Sequence, residues 1–321
     1  MKIIVTGAAG FLGSRVADLL LDAQPPLSVT KLLLVDAKEP ESRNDSRVQT
    51  CALDLGAVGA ADRLLADGAD VLFHLAAIVS GHAEADFDLG LRVNFDATRE
   101  LLEAARRYSP ALRFVFTSTV GVFGGPLPPV VDDFTAATPQ NSYGVSKAMA
   151  ELLVNDYSRR GFVDGRVVRL PTISVRAGTA NRAVTSFASG IIREPLNGES
   201  ATCPVPPEQE LWLMSPQTAV RNIVYAATVP AASLGTWRCV NLPGISVTVR
   251  DMVAALRTVA GEKVAALVRY EPDELISKMV ASFPSNFNCT RAIHLGFQTD
   301  TTFVDVVRNY IKIDLYKNVK S

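Results

Sequence analysis

Residues 2–20, KIIVTGAAGFLGSRVADLL, constrain the fold more than any other stretch of the chain. Ile3, Ile4 and Val5 form a short apolar run that reads as a buried strand. Val16, Leu19 and Leu20 then recur at helical spacing, and between the two lies Gly7-x-x-Gly10-x-x-Gly13. Gly7 allows a tight turn out of the strand. Gly10 leaves the backbone open to a pyrophosphate, and Gly13 lets the helix sit close to a sheet. Phe11, Leu12 and Gly13 open the helix, whose free N–H groups and positive dipole end favour phosphate. A plain strand-to-helix turn is the alternative reading.

The next segment, KLLLVDA, reads as a second buried strand ending at Asp36. An acid about 20 residues beyond the glycines, at a strand end, is placed to accept from adenine ribose hydroxyls. A carboxylate there repels a 2′-phosphate, so the expected cofactor is NAD rather than NADP. Arg15 and Lys38 are nearby cations, read here as solvated surface charges. RVQTCALDL gives a third strand ending at Asp54-Leu55, where the carboxylate could reach the adenine amino group. ADVLFHLAAI gives a fourth, ending in Leu75, Ala76 and Ala77, with His74 read as a packed core histidine. RFVFTST gives a fifth. Helical patterns separate these strands, which predicts right-handed crossovers, a parallel sheet and a ligand at the carboxyl ends. The expected fold class is α/β: a Rossmann-type doubly wound parallel sheet with a smaller C-terminal substrate-binding lobe. The division falls at residues 1–170 and 171–321, with TWRCVNLPG returning to the sheet.

Composition narrows the partners. The chain of 321 residues has 32 basic and 33 acidic side chains, with no block of one sign. Nucleic acid and acidic membranes are therefore not expected. The first apolar run is too short for a signal peptide, and no apolar stretch reaches the roughly 18 residues of a transmembrane helix. Cys51, Cys203, Cys239 and Cys289 are far apart and the histidines are 74, 82 and 294. That spacing predicts no metal and no disulfide framework, and suits the cytoplasm.

Tyr143 and Lys147 stand one turn apart at the start of a helical pattern in which Met149, Leu152, Leu153 and Tyr157 have core-like spacing. Thr117-Ser118-Thr119 closes the fifth strand. A second Tyr-x-x-x-Lys pair, Tyr316 and Lys320, has no such context and reads as coincidence. Oxidising an alcohol needs a base for the hydroxyl proton. A free phenol has a pKa near 10. The Lys147 ammonium and a positive nicotinamide would both stabilise phenolate and lower it. Thr119 would orient the alcohol beside Tyr143. Asn94 reads as a helix-surface amide, with a relay or helix-kink role as the alternative.

Taken together, the glycine triplet, Asp36, Asp54-Leu55, Leu75-Ala76-Ala77, Thr119 and Tyr143-x-x-x-Lys147 resemble the extended short-chain dehydrogenase/reductases over nearly the whole chain. The resemblance implies NAD-dependent chemistry, with Lys147 also on the nicotinamide ribose. It implies cofactor contacts from Asn94 and Pro171, and pairing of two copies as a homodimer. Dehydratases of that family place two acids directly after the catalytic Thr, whereas here Val120-Gly121 follows Thr119. Nucleotide-sugar epimerases carry an Asn-x-Tyr-Gly-Pro-like turn, whereas here the sequence is RLPTISVRAG. The second half, with GHAEADFDLGLRVN, SFASGIIREPLNGE and CPVPPEQELWLMSP, is similar to a branch acting on a four-carbon sugar acid. Such a substrate needs a cation or donor cluster for its carboxylate. Ser80, Arg176 and Ser186 are the candidates, with Arg182 and Arg193 as competitors. Trp212 is expected in the core of the lobe. An epimerase of the same family and a non-catalytic NAD(H)-binding sensor are the alternatives.

Overall fold

A computed structural model describes residues 1–315, so Tyr316 and Lys320 lie outside the described residues. The strands in chain order are β1 (Lys2–Thr6), β2 (Lys31–Asp36), β3 (Val48–Ala52), β4 (Val71–His74), β5 (Arg113–Thr119) and β6 (Asp164–Leu170). They continue with β7 (Thr172–Ile173), β8 (Ala201–Cys203), β9 (Glu210–Met214), β10 (Cys239–Asn241), β11 (Ile245–Thr248) and β12 (Val268–Tyr270). The central sheet has seven strands in the order β10-β6-β5-β4-β1-β2-β3, all parallel. The order reverses between β1 and β4, and a crevice opens there at the carboxyl ends of the strands.

Both faces of the sheet are covered, which is why its strands read as unbroken apolar runs. Ile3, Val5, Leu32, Leu34, Val71 and Phe73 pack on one side against helices Phe11–Leu20 and Pro216–Ala226. Ile4, Val35, Leu72, Phe114 and Phe116 pack on the other against helices Ala97–Tyr108 and Ser142–Arg159. The second of those helices seats Ala150, Val154 and Tyr157 on the sheet, and leaves Leu152 62% exposed. The expected core position of Leu152 is therefore wrong, because the true inward stripe runs through the small Ala150.

The chain crosses between the two parts more than once. After β6 it builds a lobe from two small sheets, β11-β9-β7 and β12-β8. The lobe core gathers Val175, Ile192, Leu213, Met252, Leu256 and Val307. Helix Pro216–Ala226 and strand β10 return to the central sheet. Trp212 is only half-buried, packed at a tilt on Phe287 with its indole N–H donating to Leu242 O at 3.3 Å, so it packs at a seam rather than in the lobe core. Arg15 is also no free surface charge. It lies over the Phe11 ring at 4.5 Å and pairs with the buried carboxylate of Asp314.

Candidate active site

A cleft of about 370 Å³ runs from the glycine loop to the lobe. Its first end is made of backbone. Gly7 has φ +73°, and a Cβ there would sit 2.6 Å from Ala76 N. A Cβ on Gly13 would sit 2.1 Å from Gly7 O. These two glycines are required by packing between turn, helix and β4 exit. Gly10 differs, since a Cβ would meet only Gly7 O at 3.1 Å, although all three glycines line the cleft. Gly10 also opens helix Phe11–Leu20 with no side-chain cap, so the first-turn N–H groups are left for a ligand. The donor set fits a dinucleotide pyrophosphate.

Asp36 and Asp54 stand at and just beyond the ends of β2 and β3, away from the cavity lining. The Asp36 carboxylate accepts from Ala9 N at 3.0 Å, which ties it to the glycine loop. Asp54 accepts from Gly56 N at 2.9 Å and lies 3.8 Å from Arg92. Leu75 and Ala77 line the cleft, while Ala76 backs Gly7 and Leu55 is a core residue.

Asn94 corrects its expected place. It is 1% exposed and sits in a π-helical turn, Arg92–Asp96, between two α-helical segments. Its amide accepts from Ile78 N at 2.8 Å and donates to Ile78 O at 3.0 Å. It thus clamps the backbone that leaves β4, from outside the cleft lining. His74 is fully buried, with Nδ1 2.7 Å from the Thr6 hydroxyl and Nε2 3.0 Å from that of Thr98. Burial, and then the charge of Lys147, push its pKa down to about 3.

The cleft's middle holds Thr119, Tyr143 and Lys147, with Pro171 beside them. The end of β5 presents Thr119, which accepts from Gly121 N at 3.0 Å. Asn141 caps helix Ser142–Arg159 by accepting from Gly144 N at 2.8 Å, which places Tyr143 in the first turn and Lys147 one turn on. Lys147 is 1% exposed and donates to Thr117 O at 3.0 Å. Burial pulls its pKa down to about 7, opposed by Glu151. Burial pushes Tyr143 up to about 12, although its side chain keeps partial access through the cleft. The lowering expected from Lys147 and a positive nicotinamide together is thus not produced by Lys147 without the nicotinamide. The same apolar surroundings that disfavour phenolate also disfavour the ammonium, whose hydrogen bond goes to a carbonyl.

The far end is built by the lobe. Arg176 lines the cleft and donates to Asn181 Oδ1 at 3.0 Å. Burial, then the neighbouring Arg193, lower its pKa. Arg193 is buried and donates to Arg176 O at 2.9 Å, so it braces the backbone from behind, whereas Arg182 is exposed. Ser80 lines the cleft and accepts from Val184 N at 3.3 Å. Ser186 does not line it. Its hydroxyl accepts from Asn181 N at 3.2 Å and closes the turn behind Arg176. Asn181, Thr185 and Phe283 line the cleft and have no motif in the sequence that announces them. Among the described residues, the lining holds two cationic side chains, Lys147 and Arg176, and no carboxylate.

A crevice at the switch point of a doubly wound sheet, an uncapped glycine turn and a Tyr–Lys–Thr group define a nicotinamide-dinucleotide enzyme. Residues 3–234 match the NAD dependent epimerase/dehydratase family. The chain belongs to that family, and NAD is its cofactor. It is similar to the D-erythronate dehydrogenase of Haemophilus influenzae, 48% identical over 316 residues, 98% of this chain and 100% of that one. The D-erythronate dehydrogenase of Cupriavidus necator is 51% identical over 319 residues, covering 97% and 98%. A solved structure from Agrobacterium tumefaciens, described as a nucleoside-diphosphate-sugar epimerase, superposes with a TM-score of 0.92 at 42% identity, covering 98% and 95%.

Proposed function

We propose that the protein oxidises the C2 hydroxyl of a four-carbon sugar acid, D-erythronate, to the 2-oxo acid. The observation that carries an acid substrate is the charge of the cleft. Arg176 and Lys147 are its only charged lining residues among those described, and the sole charged group that shifts Arg176 is another cation. A half-buried guanidinium without a carboxylate partner is set up to receive one. The two relatives named for D-erythronate support that choice of acid, and their likeness spans 97–98% of the chain.

When bound, NAD supplies the hydride acceptor and a cationic ring. Gly10, Phe11 and Leu12 hold its pyrophosphate, and Asp36 takes the adenine ribose. Arg176 holds the substrate carboxylate, with Ser80 as a further donor. Thr119 orients the reacting hydroxyl, and Tyr143 removes its proton. Burial raises the pKa of the Tyr143 phenol, so its use as a base needs positive charge close by. Lys147, in its protonated form, supplies part of that charge, and it is a donor for the nicotinamide ribose. Val145 and Leu152, 43% and 62% exposed on helix Ser142–Arg159, support a homodimer through that face, which the mass in solution tests. The cytoplasm is the proposed compartment.

The test is NADH absorbance with D-erythronate, L-threonate, D-threonate and a UDP-sugar, using NAD and NADP in turn. D-Erythronate with NAD should turn over, and Tyr143→Phe should lose about 10²–10⁴-fold in rate with cofactor binding intact. Epimerisation of the UDP-sugar leaves no net NADH, so its product is followed by chromatography, and conversion there alone would put the epimerase reading in its place. Cofactor binding with no turnover of any of these would leave a sensor.

A further inference from the structure

We propose that Phe283 sets the length of acid the site accepts, by closing the cleft beside Thr119. The proposal rests on the dehydrogenase reading above and adds a residue that determines specificity. Phe283 follows helix Glu274–Ala281 of the lobe, yet it lines the same cleft as Thr119, Gly121 and Tyr143. A Cβ built on Gly121 would lie 3.3 Å from the Thr119 hydroxyl oxygen and 3.9 Å from Cε1 of Phe283. The ring edge and the catalytic hydroxyl therefore border one small space. A side chain at position 121 would occupy that space, which is a reason for glycine there beyond backbone shape.

The chain just beyond the ring is braced. Val131 N donates to Asn286 O at 3.0 Å, and Asn288 N donates to Val131 O at 2.8 Å. Asn286 also donates from its amide to Pro129 O at 3.0 Å. Phe287 packs on Trp212 at 5.1 Å and on Phe123 at 5.9 Å between ring centroids. Residues 286–288 are thus held by backbone hydrogen bonds on one side and aromatic packing on the other, and Phe283 N donates to Val280 O at 3.1 Å, so the ring's backbone is anchored at both ends. A wall so held resists displacement by a longer substrate, because moving it breaks several contacts at once. An acid tethered at Arg176 and at Thr119 has its first two carbons placed. Two more carbons fit a short space, whereas a six-carbon chain or a nucleoside diphosphate needs the volume the ring fills.

The experiment compares wild type, Phe283→Ala and Phe283→Leu with sugar acids of four and six carbons at saturating NAD. In parallel, calorimetry follows the same acids binding to the NAD-loaded proteins carrying Tyr143→Phe. The ratio of six-carbon to four-carbon kcat/KM should rise at least about tenfold in Phe283→Ala, with Phe283→Leu between. If the alanine variant fails to fold, the leucine variant, which keeps apolar bulk, decides. An unchanged ratio in a folded variant overturns the proposal. Should wild type oxidise no sugar acid, the dehydrogenase reading falls and calorimetry judges Phe283 by itself. A length cut-off that moves in the variants supports it, and binding without a cut-off, or no binding, overturns it.

Discussion

The two ends of the cleft are built on different principles. At the proposed cofactor end the backbone would do the binding, and the key positions are those where a side chain must be absent. Gly7 and Gly13 are packed so tightly that a Cβ would fall within 3 Å of neighbouring backbone. At the proposed substrate end the lining is made of side chains, and they come from separate stretches of chain: Ser80 after β4, Arg176, Asn181 and Thr185 after β7, and Phe283 from the lobe. A backbone device tolerates almost no substitution, because its geometry is the fold. A side-chain device can be edited one group at a time, so substrate choice can change while the cofactor stays the same.

The largest effect that can break this contrast is at the glycines. Gly13→Ala should cost at least about 4 kcal/mol of stability, since the clash is with backbone that cannot rotate away. Gly10→Ala should melt within a few degrees of wild type and lose at least about tenfold in NAD affinity. Thermal melts and calorimetry on both variants check this, and equal losses of stability would mean that Gly10 too serves packing alone. Next comes Arg176→Met, which removes the charge and keeps the stem. KM for the sugar acid should rise roughly 10–100-fold, as expected for losing charge-assisted hydrogen bonds, while NAD affinity stays put. A KM that does not move would assign the carboxylate elsewhere.

The smallest expected effect concerns pH. His74 titrates near 3 in the fold and near 6.5 when unfolded, so between those values the unfolded chain binds more protons. Stability should therefore fall as pH drops from 6.5 towards 3, by about 2 kcal/mol at pH 5 from this group. His74→Gln should flatten that part of the stability curve measured in urea. A slope unchanged by the substitution would place the acid sensitivity in other groups and make the Thr6–His74–Thr98 contacts unimportant for it.

Much of the cofactor end was legible. The triplet Gly7, Gly10 and Gly13 lies in one short stretch, and a local sequence carries a local turn. Thr119, Tyr143 and Lys147 were legible for a similar reason, since a strand end and one helical turn position them. Asn94 was misread as a surface amide. Its burial comes from the chain leaving β4, and nothing near residue 94 reveals that Ile78 will need a clamp. Leu152 was misread because apolar spacing does not say which of two apolar stripes meets the sheet. Ser186 and Arg176 were named together, but only the tertiary turn at Asn181 directs one behind the other.

Periodicity and glycine spacing by themselves determined the alternation of strands and helices, the glycine turn and the placing of Tyr143 and Lys147 one helical turn apart. Those features depend on contacts between residues close in the chain, where side-chain size and backbone freedom are decisive. The tertiary structure alone decided which arginine faces the cleft, which brace stands behind it, and that Phe283 would end up against the turn at Gly121. These depend on the docking of lobe segments far apart in the chain, driven by burial of a shared apolar core. That burial is indifferent to which polar groups it happens to bring together.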